Sequence, residues 1–312
     1  MSKFARRLND SRLTEETVDS NAWFRELLCL WRPSGTESEK DAEGRISSLR
    51  LAVRDGYLSF YGAGQQIAKV KCTEQSFHEE VHRKYLGPET DQTGGGDYLR
   101  PAPPAADAAG AVLMNRVATA AAWHGREKLF VDEVISANPD VFDLEVALTL
   151  ARPDAARPVA VRLDLATLEP HQDGWRIVLW EAKMANDGRA KSLAEPKTMD
   201  QHRGYSEWLQ DETNAAALIA GTKEACRLLV RLRELAIHAG QTNMPPLGNG
   251  IVATGGNCGT PLTLDTNVRY VIDAREDTRG TFIGNGHDVK LRGLAGHVQV
   301  IGKGDPLTLD TL

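Results

Sequence analysis

The stretch AVRLDLATLEPHQDGWRIVLWEAKM, residues Ala160–Met184, decides how this chain is read. Two apolar runs with the residue types of β-strands flank a turn containing Pro, Asp and Gly. Each run carries an acid. Asp164 sits inside Val-Arg-Leu-Asp-Leu, and Glu181 and Lys183 end Ile-Val-Leu-Trp-Glu-Ala-Lys. Burying an unpaired carboxylate is costly or shifts its pKa far upward, so such groups are held by a counter-charge or a metal ion.

Residues two apart on a strand share a face at a spacing of roughly 6.6–6.8 Å. Glu181 and Lys183 are therefore expected to project together, with Ala182 turned away. If the two strands pair, Asp164 is expected beside Glu181, both lying toward the C-terminal ends of their strands. Carboxylates meeting there repel unless a divalent cation joins them, and an adjacent ammonium can orient or activate a water. An isolated Glu-x-Lys is commonplace as a solvated ion pair. This one is set apart by the acid on the preceding apolar strand and by a helix ahead of both.

Outward from this stretch, three regions separate. In residues 1–87, NAWFRELLCLW places Trp23, Leu27 and Trp31 on one face of an amphipathic helix. LRLAVRDGYLSFYGAGQQIAKVKC reads as an antiparallel meander, with Asp55-Gly56 as a tight hairpin turn and Gly62-Ala63-Gly64 as the next. A helix around SFHEEVHRKYL is expected to close this small α+β module. Residues 88–106, with Gly94-Gly95-Gly96 and a proline cluster, read as a linker. From Asp107 the pattern is one long helix to about Ala137, ended by Asn138-Pro139, then strands VFDLEVALTL, VAVRLDLATL and RIVLWEAKM, then two helices. In the second of these, Ala225, Leu228, Leu232, Leu235 and Ala239 form a core-facing stripe. The Gly-rich remainder holds two short β-like runs, NVRYVID and GHVQVI.

On the long helix, Trp123, Glu127, Phe130, Val131 and Val134 share a face, which aims Glu127 at the sheet and leaves Lys128 and Asp132 projecting elsewhere. Glu133 takes that place if the helix is rotated. Gln201 and Tyr205 lie one turn apart in DQHRGY, an amide and a phenol suited to holding a phosphate, a base or the lysine.

A helix, then strands bearing Asp164 and Glu181-x-Lys183, then a helix with Gln201-x-x-x-Tyr205, resembles the PD-(D/E)XK nuclease superfamily, in its RecB-type branch. The resemblance covers about residues 107–215. It implies a restriction-endonuclease-like mixed sheet flanked by helices within an α+β whole, residues 107–312 forming that domain and a C-terminal extension. It implies Asp164, Glu181 and the Ala182 carbonyl as ligands of Mg2+ or Mn2+, and Lys183 as catalytic base or water-orienting group. Glu127 becomes the helix acid, and Gln201 and Tyr205 position the substrate or the lysine. No proline precedes Asp164, and the RecB-type histidine has no assigned counterpart, His124 lying nearest to Glu127.

The expected activity is metal-dependent hydrolysis of phosphodiester bonds, in DNA in preference to RNA, as in restriction, repair or anti-phage defence. The competing expectation is a non-catalytic nucleic-acid-binding or assembly protein that keeps the fold with its acids in salt bridges. Arg189, Lys191, Lys197 and Arg203, with His202, are expected around the mouth of the site as phosphate contacts, ahead of a second basic stripe at Lys223, Arg227 and Arg231. The formal charge of −6 excludes neither reading. Hydrophobic residues at 41% and charged residues at 26% are those of a globular domain without a membrane partner. Cys29, Cys72, Cys226 and Cys258 form no Cys-x-x-Cys pair and read as reduced thiols of a cytoplasmic protein. The N-terminal module leaves a homo-oligomer or a protein partner open.

Overall fold

The structure, a computed structural model, describes residues 4–86, 92–93, 96–150, 159–191, 196–256, 259–276 and 279–312. Thr14 caps the short helix α1 (Glu15–Ser20), its hydroxyl accepting from the Thr17 N–H, and α2 (Ala22–Leu30) follows. Asp55-Gly56 then turns β1 (Arg50–Arg54) into β2 (Tyr57–Gly62), with Gly56 at φ +80°, where glycine is unstrained. β3 (Gln65–Cys72) follows the Ala63-Gly64 turn.

The helix expected over Ser76–Leu86 is instead a strand, β4 (Phe77–His82), ending in one 3-10 turn at Arg83–Tyr85. Pairing with β3 on one edge and with the later strand Tyr98–Pro101 on the other takes up its backbone groups, and Val81 is buried, which decides against the local helical pattern. Within the stretch expected as linker, β5 (Gln92–Thr93) and β6 (Tyr98–Pro101) extend the sheet, whose order is β1-β2-β3-β4-β6-β5, antiparallel throughout.

The expected long helix is two, α3 (Ala109–Ala121) and α4 (Arg126–Ala137), broken before Gly125, with Trp123 60% exposed in the break. The two helices serve different sheets. α3 packs on β2 and β3, closing a core of Phe24, Leu27, Leu58, Phe60 and Val117, whereas α4 packs on β9 of the second sheet.

That second sheet is built from β7 (Val141–Leu150), β8 (Val159–His171) and β9 (Gly174–Met184), all antiparallel. Helices α5 (Gly188–Lys191), α6 (Pro196–Gln210), α7 (Glu212–Ala239) and α8 (Asn249–Gly256) follow. Then β10 (Leu262–Leu264) and β11 (Arg269–Asp273) add in parallel to β9. α9 (Arg279–Gly284) and α10 (His287–Ala295) lead to β12 (Val298–Ile301), parallel to β11. The order is β12-β11-β9-β8-β7, a mixed sheet flanked by helices as expected.

One apolar cluster runs from α2 and the first sheet through Leu228, Leu232 and Leu235 of α7 to Leu163 and Leu179 of the second. A second cluster joins Phe130, Val131 and Val134 of α4 to Leu165, Val178 and Trp180. Among the described residues no helix is long and apolar enough to cross a membrane. Cys29, Cys72 and Cys226 are free thiols, and Cys258 lies outside the described residues.

Candidate active site

The site lies where β8 and β9 part. Their ladder runs from His171 opposite Gly174 to Leu165 opposite Trp180 and stops there, while β9 continues beside β11 as far as Met184. Beyond Trp180 the edge of β9 facing β8 has backbone groups without a strand partner among the described residues. Asp164 supplies one: its Oδ2 accepts from the Ala182 N–H at 2.9 Å. The Ala182 carbonyl, on the same edge, accepts from Lys183 Nζ at 2.8 Å. Asp164 and Glu181 thus meet, but through antiparallel register. Asp164 stands in the first half of its strand and Glu181 near the end of its own, so the expectation that both lie at C-terminal ends was wrong.

Asp164, Glu181 and Lys183 are all buried, at 9%, 3% and 6% exposure. Lys183 Nζ is 2.7 Å from Glu181 Oε1 and 3.8 Å from Glu127 Oε2. Burial, and then the charge of Asp164, push the Glu181 carboxyl up to about 8, against the pull of Lys183. Burial works against the Lys183 ammonium, yet Glu181, Asp164 and Glu127 together hold its pKa above the ordinary value. Glu127 is raised as well, by burial first, with Lys183 opposing and Asp164 adding.

Helices from both faces reach this opening. From α6, Gln201 Nε2 donates to the Tyr205 hydroxyl, which lies 2.9 Å from the Arg162 carbonyl and 3.4 Å from Glu181 Oε2. Burial raises the Tyr205 phenol, and Glu181 adds to the shift, so it stays a neutral donor. From the first turn of α4 come Glu127 and also Lys128, which was expected to point elsewhere. Lys128 Nζ pairs with Glu145 and lies 3.6 Å from Asp164 Oδ1. Gly64, at φ +72° in the β2–β3 turn, lets the lysine lie close, since a Cβ there would stand 2.8 Å from Lys128 Cβ. Asp132 also points inward, to Arg50 at 2.8 Å. Glu133, the alternative helix acid, is exposed and paired with Arg275.

From sequence, Lys128 is expected to project elsewhere, and Glu145, with Glu133, stands only as an alternative to Glu127 near Asp164; the structure brings Lys128 and Glu145 to the opening together with Glu127. Leu144 faces Leu165 and Val146 faces Leu163, which sets Glu145 across from Asp164. Glu145 holds φ +51°, a strained value for a non-glycine residue of the kind that collects at functional sites. The kink shows in the packing, because Val146 joins one apolar cluster and Leu144, two residues before it, the other. An acid inside the apolar run VFDLEVALTL was the same signal that singled out Asp164.

Of the expected phosphate contacts, Arg189 lies 4.0 Å from Glu127 and 2.6 Å from Asp187, at the mouth. Lys191 and Arg203 are exposed on α5 and α6, while the side chain of Lys197 lies outside the described residues. His202 is not at the mouth. It is buried, with Nδ1 3.4 Å from the Tyr270 hydroxyl. On the second stripe, Arg227 is bound to Asp10 and Glu224, and Arg231 to Glu234.

Among the described residues no group of three or more His, Cys, Asp and Glu side chains forms a cage for a metal ion. Of the oxygens gathered at the opening, those of Asp164, Glu181 and the Ala182 carbonyl lie where β8 and β9 part. That is a hard donor set of the size Mg2+ takes from proteins, which leaves its other positions to water and phosphate. No protein-family model, no curated protein and no solved structure matches this chain.

Proposed function

We propose that this protein is a divalent-metal-dependent nuclease of the PD-(D/E)XK type, hydrolysing phosphodiester bonds in DNA in preference to RNA. One observation carries the reading. Asp164 and Glu181 are buried side by side at the parting of two strands, and burial, then the charge of Asp164, drives the Glu181 carboxyl up to about 8 against the pull of Lys183. A cation relieves that repulsion. Asp164, Glu181 and the Ala182 carbonyl would hold Mg2+ or Mn2+. Bound there, the ion supplies charge to a phosphoryl oxygen and acidity to a coordinated water.

The chain's own groups do the rest. Lys183, kept protonated by three carboxylates, orients the attacking water and offsets charge growing on the phosphate. Glu127, with its raised pKa, is placed to exchange a proton with solvent near Lys183. Tyr205 steadies Glu181, and Gln201 steadies Tyr205. Arg189 and Lys191 meet the incoming backbone.

The second reading, a non-catalytic nucleic-acid-binding or assembly protein, draws on the 2.7 Å contact between Lys183 and Glu181 and on the Lys128–Glu145 pair, which neutralise acids internally. Incubation with supercoiled plasmid, linear duplex, single strand and RNA, each in Mg2+, Mn2+ or EDTA, separates the two. Cleavage of DNA that stops in EDTA and in Glu181→Gln is expected. A protein inert on all four substrates with both metals would overturn the nuclease reading.

A further inference from the structure

We propose that the open face of the N-terminal sheet is a platform for single-stranded nucleic acid, leading a strand past Arg162 into the opening between β8 and β9. The proposal deepens the nuclease reading and rests on it for the destination of the strand.

The first sheet has two unlike faces. One, with Leu58, Phe60, Val70 and Val81, is covered by α2 and α3. On the other, Tyr57 stands opposite Lys71, Ser59 opposite Lys69, and His82 opposite Tyr98. Near β1 that face is covered, where Arg50 and Arg54 are buried against Asp132 and Asp143. Farther along, Tyr57, Lys69, Lys71 and Tyr98 are only half-buried.

These residues interleave. Lys69 Nζ lies 3.2 Å from the Tyr98 ring centre and 5.7 Å from that of Tyr57, and Lys71 Nζ lies 4.8 Å from Tyr57. The Tyr98 ring is not loose: its hydroxyl donates to Gln66 Oε1 at 2.7 Å, and Gln66 Nε2 donates to Ser59 Oγ at 2.6 Å. Glu80, 4.0 Å from Lys71, balances one of the lysines.

Arg162 joins this face to the site. It is exposed on β8, two residues before Asp164, and its side chain has no ion pair among the described residues. Its charge is felt at Tyr57, Lys69 and Tyr98, while its carbonyl accepts from Tyr205 at the opening. Rigid aromatic rings alternating with cations suit a polyanion whose bases are free to stack. A duplex keeps its bases stacked on one another and offers phosphates and base edges but no free ring face for the tyrosines, so the occupant is a single strand.

The test is fluorescence anisotropy with labelled oligo(dT) and a duplex of equal length, in EDTA, across a salt series. Oligo(dT) should bind more tightly than the duplex. Tyr98→Ala and Tyr57→Ala should each weaken it by about 5- to 150-fold, the range of one lost base–aromatic stack, and Tyr57→Phe should restore binding. Lys69→Ala with Arg162→Ala should reduce the log-affinity against log-salt slope by ~1.4, at ~0.7 per contact. Thermal unfolding confirms that each variant is folded, and if Tyr98→Ala is not, Tyr57→Ala and the charge pair carry the test. Folded variants that bind oligo(dT) as the parent does, or a parent that prefers duplex, would overturn the platform. Oligo(dT) binding that depends on these residues in a protein that never cleaves keeps the platform and removes the nuclease. Metal-dependent cleavage and oligo(dT) binding both untouched by the variants do the reverse.

Discussion

At Glu181 two demands conflict. The residue is 3% exposed, beside Asp164, and burial with that neighbour drives its carboxyl up to about 8, although Lys183 lies 2.7 Å away. The sign of the consequence follows from linkage. The folded protein holds a proton on Glu181 that the unfolded chain has lost above its ordinary value of 4.5. The stability this contributes is full below that value and is lost as pH rises through about 8. Metal-free protein should therefore melt at lower temperature near pH 8.5 than near pH 5, by a margin that shrinks in Glu181→Gln and on adding Mg2+. A parent and a variant with the same pH dependence would show that Glu181 does not titrate in this range. Lys183→Ala should lower the cleavage rate by roughly 10²- to 10³-fold, the range of one lost charge-stabilising donor, with metal affinity by calorimetry little changed. An unchanged rate would make Lys183 structural.

At the scale of elements, β7, β8, β9, α6 and α7 were legible because long apolar runs and 3.6-residue periodicity are strong local signals. The start of α4 was not. Nothing local separates Ala109–Ala121 from Arg126–Ala137 except Gly125, and the break is fixed by which sheet each half packs on. Misplacing it hid Lys128, which in the first turn of a shorter helix reaches the same opening as Glu127. β4 was lost for a related reason, since Phe77–His82 is strand only because β3 lies beside it. Asp164 and Glu181 were found because charge inside an apolar strand is anomalous whatever the tertiary context. The basic patches differ by element as well. Arg189→Ala with Lys191→Ala on α5 should reduce the salt slope of nucleic-acid binding by roughly 1.4–1.8, at ~0.7–0.9 per contact. Arg227→Ala with Arg231→Ala on α7, whose partners are Asp10, Glu224 and Glu234, should change it less. The opposite ranking by anisotropy in Ca2+ would place the substrate along α7.

Across the whole molecule, the two sheets are tied by buried charge. Asp143 of β7 receives Arg54 of β1 and, at 2.8 Å, Arg6, while Arg54 also donates to the Leu144 carbonyl beside Glu145. Sequence patterning did not reveal this triad, because its members are far apart in the chain, although Asp143, like Asp164, is an acid inside an apolar run. Asp143→Ala leaves two guanidiniums buried without their anion and should cost about 3–5 kcal/mol in denaturant unfolding. A loss under about 1 kcal/mol, the worth of an exposed ion pair, would mean that the sheets are held by the apolar cluster alone. The central claim is that Asp164 and Glu181 exist to hold a divalent cation, and calorimetric titration of Mn2+ into the parent, Asp164→Asn and Glu181→Gln tests it without any knowledge of the substrate. The account predicts saturable binding in the parent that is lost or severely weakened in both variants, each of which remains folded. Binding of equal strength in all three, or none in the parent, would contradict it.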